Sequence, residues 1–509
     1  MKQVEKFDFL EIDFNCGENS AYIENCAEFV NGKTVLKTGA FRKGDKFAVR
    51  FSPMEEGQWD YTIKAPGGEE VKGSFECVKN SGDNHGKVIA VGDKFTYADG
   101  AKYYPFGTTC YAWVNQPKEL QDKTVETLKN SPFNKIRMCV FPKSMPYNNN
   151  EPDCFPYEKT DGKWDMSKPV EEFWSNFDLR MSQLCEIGVE ADIILYHPYD
   201  RWGFAELSQE DSIEYLNYCI YRLGAYRNVW WSLANEYDTV FSKTNENWDE
   251  YGEILKKKDI YEHLISIHDM VIVYPDRDWM THASVQSGDI DNIVRWKQSH
   301  GGKPVVIDEY GYEGDIEYNW GNLTAFEEMN RCWKAVFRGG FATHGETFHR
   351  DDEVLWWAKG GELYGESPKR IAFLKDIIYS LPDDWKAVAI PIANVNEDKN
   401  KEVSEADAKT LEHNNNVRKL MERASEEERF KFMIAISPMK IEGKDFQFNY
   451  LGTNCACRAT YKLEGKNKIE VIDAWNMTRE TVMENASGNV IVPLPAKEGI
   501  AVMITKTGE

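Results

Sequence analysis

A chain of 509 residues is too long for one hydrophobic core; at roughly 100–200 residues per domain it holds two to four, a large α/β barrel counting as one. Lys and Arg number 61 against 84 Asp and Glu, and the net charge of −23 argues against nucleic acid or an anionic membrane surface as a partner. No apolar run approaches the roughly 20 residues of a membrane helix. The opening MKQVEKFDFLEIDF lacks the apolar centre of a secretory signal. Eleven Cys are scattered along the chain, mostly among apolar neighbours as at Cys139 and Cys219. They read as small buried side chains in a reducing compartment, so the expected location is the cytoplasm.

The first 80 or so residues carry short runs rich in β-branched and aromatic residues (FDFLEIDF, KTVLKTGAF, DKFAVRFSP, QWDYTIKA, VKGSFECV) separated by Gly, Asn and Pro. This spacing predicts an immunoglobulin-like antiparallel β-sandwich over 1–82, followed by a linker at Asn80–Asn84. The rhythm then changes to strand, loop and helix. Strands are predicted at 103–111, 135–141, 190–196, 229–234, 264–267, 280–285, 304–308 and 340–344. Helices between them have recognisable starts at Pro169, Ser208-x-x-Asp211, Thr324-x-x-Glu327 and Ser367-Pro368. Eight near-apolar strands alternating with helices predict a (β/α)8 TIM barrel over 83–385. A doubly wound open sheet fits less well, because no Gly-rich phosphate loop follows the first strand. Strand-like runs return over 386–509 (RFKFMIAIS, KDFQFNYLG, ACRATYKLE, KIEVIDAW, NVIVPLP, IAVMITK) and predict a second β-sandwich. The densely charged segment 396–429 reads as a solvated helix or mobile loop.

Active-site residues of such a barrel come from the carboxyl ends of its strands. The fourth strand runs into Asn235-Glu236, and the seventh ends Asp308-Glu309-Tyr310. In a chain with 84 acidic residues either dipeptide alone means little. Together, after WSLA and KPVVI, they place two carboxyls on opposite sides of one barrel mouth. Hydrolysis of a glycosidic bond needs such a pair, one protonated to assist the leaving oxygen and one ionised to attack the anomeric carbon. Asp308 points the other way along its strand and is a poor candidate, whereas Glu313 and Glu346 are rivals near the mouth.

WSLANEYD (231–238) and KPVVIDEYG (303–311) resemble the acid/base and nucleophile motifs of clan-A glycoside hydrolases. Asn134-x-x-Arg137 and Tyr196-His197-Pro198 are similar to further motifs of that clan. HLISIH, WMTHASVQ, EYGYEG and GGFATHGETF resemble the apiosidase-like barrel family, whose members often carry an N-terminal sandwich and a C-terminal β-domain. The resemblance implies Glu236 as acid/base and Glu309 as nucleophile. It implies Asn235 on the hydroxyl beside the anomeric carbon, Arg137 holding the nucleophile ionised, and His197, His282 and Gln286 around the reacting sugar. His344 ends the eighth strand where many clan members end on Trp and is expected to contact the sugar; Trp356-Trp357 follow as a stacking face, with Trp356 the expected contact. No metal or cofactor is implied. The expected partner is an oligosaccharide or glycoside, with self-association through the flanking β-domains left open.

The function expected is a retaining glycoside hydrolase, exo-acting on short plant-type oligosaccharides inside the cell. The long loops 142–165 and 345–366 would close one end of the cleft. Two other classes compete. A non-catalytic carbohydrate-binding protein would have no need of both glutamates. A metal-dependent hydrolase would use the mouth histidines, yet no His-x-His or His-Glu-x-x-His spacing occurs.

Overall fold

The computed structural model describes residues 2–508 apart from 69, 389–414 and 418. Most of the charged segment expected as a helix or loop therefore lies outside the described residues. The chain divides into two compact units, Met1–Ala335 with Gly340–Leu381, and Val336–Gly339 with Pro382–Glu509.

The first unit opens with seven strands, β1 (Lys2–Glu5), β2 (Leu10–Phe14), β3 (Tyr22–Asn31), β4 (Thr34–Lys43), β5 (Lys46–Phe51), β6 (Gly57–Ile63) and β7 (Val71–Val78). Hydrogen bonds join them into one sheet in the order β1-β7-β6-β3-β4-β5-β2, with β1 parallel to β7. Phe51 on β5 lies 6.3 Å from Phe75 on β7, four strands away, and stacks at 3.9 Å on Phe29 of β3. A flat sheet would separate β5 and β7 by about 19 Å, so this sheet folds over on itself around an aromatic core. The sandwich expectation holds in part: the layers enclose a core but belong to one continuous sheet.

A hairpin, β8 (Val88–Val91) and β9 (Lys94–Tyr97), leads into the barrel. The barrel strands are β10 (Gly107–Thr109), β11 (Lys135–Cys139), β14 (Glu190–Tyr196), β15 (Val229–Ala234), β16 (Leu264–Ser266), β17 (Ala283–Gln286), β18 (Val305–Glu309) and β20 (Phe341–His344). A second hairpin, β12 (Tyr157–Thr160) and β13 (Lys163–Pro169), interrupts them, and two short strands, β19 (Glu313–Gly314) and β21 (Glu346–Thr347), extend two of them. All eight barrel strands run parallel in the order β16-β15-β14-β11-β10-β20-β18-β17, and a parallel bridge from His268 to Ser284 closes the ring. Nearly every strand residue is buried, as both faces of a parallel sheet are covered. The helices include α1 (Lys118–Lys129), α2 (Glu171–Glu186), α3 (Gln209–Leu223), α4 (Asn245–Lys258), α5 (Ile293–Ser299), α6 (Ala325–Phe337), α7 (Trp356–Lys359) and α8 (Ser367–Ser380). Ser208 caps α3 by accepting from the Asp211 N–H, at the start predicted for that helix.

The barrel interior is polar at mid-height. Lys135 and Arg137, alternate residues of β11, pair with Asp192 and Asp308, and all four side chains are fully buried. At the amino-terminal end Phe95 of β9 packs on Trp230, Phe341 and His282, plugging the barrel floor.

Among its described residues the second unit contains a six-stranded sheet rather than two stacked ones, in the order β22 (Lys386–Ala387), β23 (Met439–Gly443), β24 (Phe446–Tyr450), β27 (Ile500–Gly508), β25 (Arg458–Asp473), β26 (Thr478–Pro493). RFKFMIAIS, expected as a strand, lies in a helix, Glu426–Ile436. A capping box between Ser425 and Glu428 starts that helix, and local capping outweighs the β-prone composition. Among the described residues no helix is long and apolar enough to cross a membrane.

Candidate active site

Glu236 lies two residues beyond β15, and Glu309 is the last residue of β18; both reach the wall of one cavity of about 510 Å3 at the carboxyl rim of the barrel. Backbone geometry aims each of them. Glu236 has left-handed backbone angles, φ 51° and ψ 54°, which cost a non-glycine residue roughly 1–2 kcal/mol and persist where the surroundings impose them. Here the Asn235 N–H donates to Tyr196 O and the Tyr237 N–H to His268 O, both at 2.9 Å, fixing the chain on either side. At Glu309 the cause is a register slip: Val285 pairs with Ile307 but Gln286 with Glu309, leaving Asp308 as an extra residue. The bulge turns Asp308 into the barrel and Glu309 towards the cavity.

Each glutamate accepts a hydrogen bond from its own tyrosine hydroxyl, Glu236 Oε2 from Tyr199 and Glu309 Oε1 from Tyr111. Between the two tyrosines sits Lys143, its ammonium 3.3 Å from the Tyr111 ring centroid and 4.3 Å from that of Tyr199. Burial pushes the Glu236 carboxyl up to about 7, the Glu309 charge adding to the effect while Lys143 and the Tyr199 hydroxyl oppose it. Asn235 is fully buried; its Oδ1 accepts from Arg137 at 2.9 Å, and its Nδ2 has no hydrogen-bond partner among the described residues. Trp320 and Trp357, 4.9 Å apart, form an aromatic wall that Tyr318 extends by stacking on Trp320. Gln286, expected at the reacting sugar, also lines the cavity, with its Oε1 unpaired among the described residues.

Several expected residues lie elsewhere. Arg137 was to hold Glu309, but its bonds go to Asn235 and Ser284, and its ion pair to Asp308 at 3.1 Å. It sits two residues before the end of β11, one layer beneath the rim, where Asp308 supplies a buried counter-charge. His282 precedes β17 instead of ending it, so it packs on the barrel floor, 5.3 Å from Trp230 and 5.5 Å from Phe95. His344 ends β20 as expected but faces outward, stacked on Phe133 and hydrogen-bonded to Thr108. Trp356 is buried with its Nε1–H on Thr108 Oγ1; its neighbour Trp357 is the one on the cavity wall. His197 lies behind the wall with Nε2 on Phe141 O, and burial, reinforced by Lys143, lowers its pKa to about 3, leaving it neutral. Glu313 and Glu346 are buried outside the cavity lining.

Tyr111, Tyr199, Lys143 and Trp320 were not anticipated. Tyr111 comes two residues after β10, Tyr199 three after β14 and Lys143 four after β11. Reading every strand's exit loop for polar and aromatic residues would have found them.

The chain is similar to a protein from Bacteroides vulgatus ATCC 8482 assigned as a glycoside hydrolase, 29% identical over 100% of both chains with a TM-score of 0.84. Its structural neighbours are glycoside hydrolases. A family 5 glycoside hydrolase, also from Bacteroides vulgatus ATCC 8482, shares the fold at 15% identity, covering 83% of this chain and 94% of its own, with a TM-score of 0.60. Residues 436–505 match the model of a domain of unknown function, DUF5605. Comparison with curated proteins finds no match.

Proposed function

We propose that the chain is a retaining glycoside hydrolase in which Glu236 is the general acid/base and Glu309 the nucleophile. The observation that carries this reading is the pair itself: two rim carboxyls on one cavity wall, each held by a separate tyrosine, with Glu236 pushed up to about 7. A carboxyl that keeps its proton near neutrality can donate it to the glycosidic oxygen as the C–O bond breaks. Glu309 then forms the ester bond to the anomeric carbon. In the second half-reaction Glu236, now ionised, takes a proton from water, whose oxygen displaces Glu309. The unpaired Asn235 Nδ2 is a donor suited to the hydroxyl beside the anomeric carbon, and Trp320 and Trp357 offer faces for sugar rings.

The substrate class we infer is a short plant-type oligosaccharide attacked from one end. Support comes from the cavity wall, to which loop 142–165 contributes Lys143, Met145 and Pro146 and loop 345–366 contributes Trp357. The cytoplasmic reading rests on the cysteines, all eleven of which are free.

The test is a panel of α- and β-linked nitrophenyl glycosides and plant oligosaccharides, with wild type run beside Glu236→Gln and Glu309→Gln. Loss of at least about a thousandfold in both, roughly 4 kcal/mol of barrier, is expected. Retained anomeric configuration in the first product, read by NMR, checks the two-step course. Undiminished turnover in Glu309→Gln would refute the assignment. Tight sugar binding with no hydrolysis of any compound would favour a binding protein.

A further inference from the structure

Behind the barrel wall, outside the cavity lining, Glu313 and Glu346 face each other as paired residues of the parallel strands β19 and β21. Paired positions of a parallel ladder project to the same side, and like charges there oppose each other. Both residues are buried, at 3% and 1% exposure, and among the described residues neither forms an ion pair with Lys or Arg. Each carboxylate is fixed by two backbone N–H groups at the entry to α8. Glu346 accepts from Tyr364 and Gly365 at 2.6 and 2.7 Å, and Glu313 from Glu366 and Ser367 at 2.8 and 2.9 Å. Gly365 sits against both: a Cβ there would lie 2.4 Å from Glu313 Oε2 and 2.7 Å from Glu346 Oε2.

The third member is His344, two residues before Glu346 and 1% exposed. Its Nδ1 is hydrogen-bonded to Thr108 Oγ1 at 3.2 Å, while its buried Nε2 has no partner among the described residues. Ligand atoms of Glu313, His344 and Glu346 all lie within 4.8 Å of one another. A histidine oriented through one ring nitrogen, with the other free beside two carboxylates, is the arrangement that holds a transition-metal ion. Ligands of a tetrahedral site with ~2.1 Å bonds stand roughly 3.4 Å apart, so a contraction of at most ~1.4 Å brings the group to bonding distance.

We propose that Glu313, His344 and Glu346 bind one divalent cation of the zinc type, a structural ion separate from the two rim glutamates. The ion would offset the paired carboxylates and tie β19, β21 and the entry to α8 together, at both ends of the loop that carries Trp357 into the cavity. The inference does not depend on the proposed glycosidase activity.

The experiment uses untagged full-length protein, stripped with EDTA, equilibrated with zinc chloride and gel-filtered before elemental analysis. One zinc per chain is expected in wild type and in Glu309→Gln, with affinity at least about a hundredfold weaker in Glu346→Gln and His344→Gln. Zinc should also raise the melting temperature of stripped wild type but not of these two variants. Should they fail to fold, cobalt added to stripped wild type serves instead: a visible d–d band with a histidine-nitrogen ligand supports the site, and an all-oxygen signature refutes it. No retained zinc, or equal retention in wild type and both variants, overturns the proposal.

Discussion

Tyr111 and Tyr199 each hold one glutamate, and the groups around Glu236 set the pH behaviour of the site. Donation by Glu236 needs its proton, so activity should fall as pH rises through about 7. Lys143 opposes the upward push on this carboxyl. Its replacement in Lys143→Met should therefore move the alkaline limb of the kcat/KM profile to higher pH; a limb that stays put would remove Lys143 from this role. Stability follows the same sign. Because the folded state raises this carboxyl, ionising it costs folding free energy as pH climbs from the ordinary glutamate range towards 7 and beyond. Glu236→Gln should melt above wild type at pH 8, with the advantage shrinking towards pH 5, as read by calorimetry. Tyr111→Phe deletes the hydroxyl on Glu309 and should lower kcat by roughly 10–100-fold, about 1.4–2.8 kcal/mol, with a smaller change in KM.

Strand ends and bulges decide which residues reach the cavity. The slip between β17 and β18 separates two adjacent acids into different roles. Asp308 goes to the interior, where burial alone would raise its carboxyl but Lys135 and Arg137 outweigh burial and hold it far below the usual range. Lys135 contacts both Asp192 and Asp308, so Lys135→Met leaves two buried carboxylates short of a counter-charge. A loss of about 3–5 kcal/mol in denaturant unfolding is expected. A loss below about 1 kcal/mol would mean that Arg137 alone neutralises the pair. The alternation of strands with helices was readable, since near-apolar runs predicted all eight barrel strands close to their observed positions. The helix at Glu426–Ile436 was missed because RFKFMIAIS is β-prone in composition, whereas the capping box of Ser425 and Glu428 just before it starts a helix.

Across the first unit, the folded-over sheet is anchored to the barrel by buried guanidinium groups. Arg50 of β5 donates two hydrogen bonds of 2.7 Å to Asp178 on α2, and Arg222 of α3 shares the same carboxylate at 2.8 Å. Arg50 also pairs with Glu11, so sheet and helices share one charge network. Arg50→Ala should destabilise the protein by about 3–5 kcal/mol, measured by chemical denaturation, while kcat at a permissive temperature stays as in wild type. A parallel fall in kcat would instead mean that the sheet shapes the cavity.

The order of strands and helices, the two glutamates at strand ends and the acidic surface could all be read from residue order, because each depends on local periodicity, turn chemistry or composition. Partners and facing could not. Arg137 was assigned to Glu309 and pairs with Asp308; His282 was assigned to the rim and lies on the floor; Trp356 was chosen and Trp357 lines the cavity. In each case a shift of one or two residues in strand limits or register exchanges inside for outside, or rim for floor. The junction of Glu313 with Glu346 is of the same kind. Segments 33 residues apart in sequence meet only because β18 and β20 lie side by side in the closed barrel, and neither segment alone carries that information.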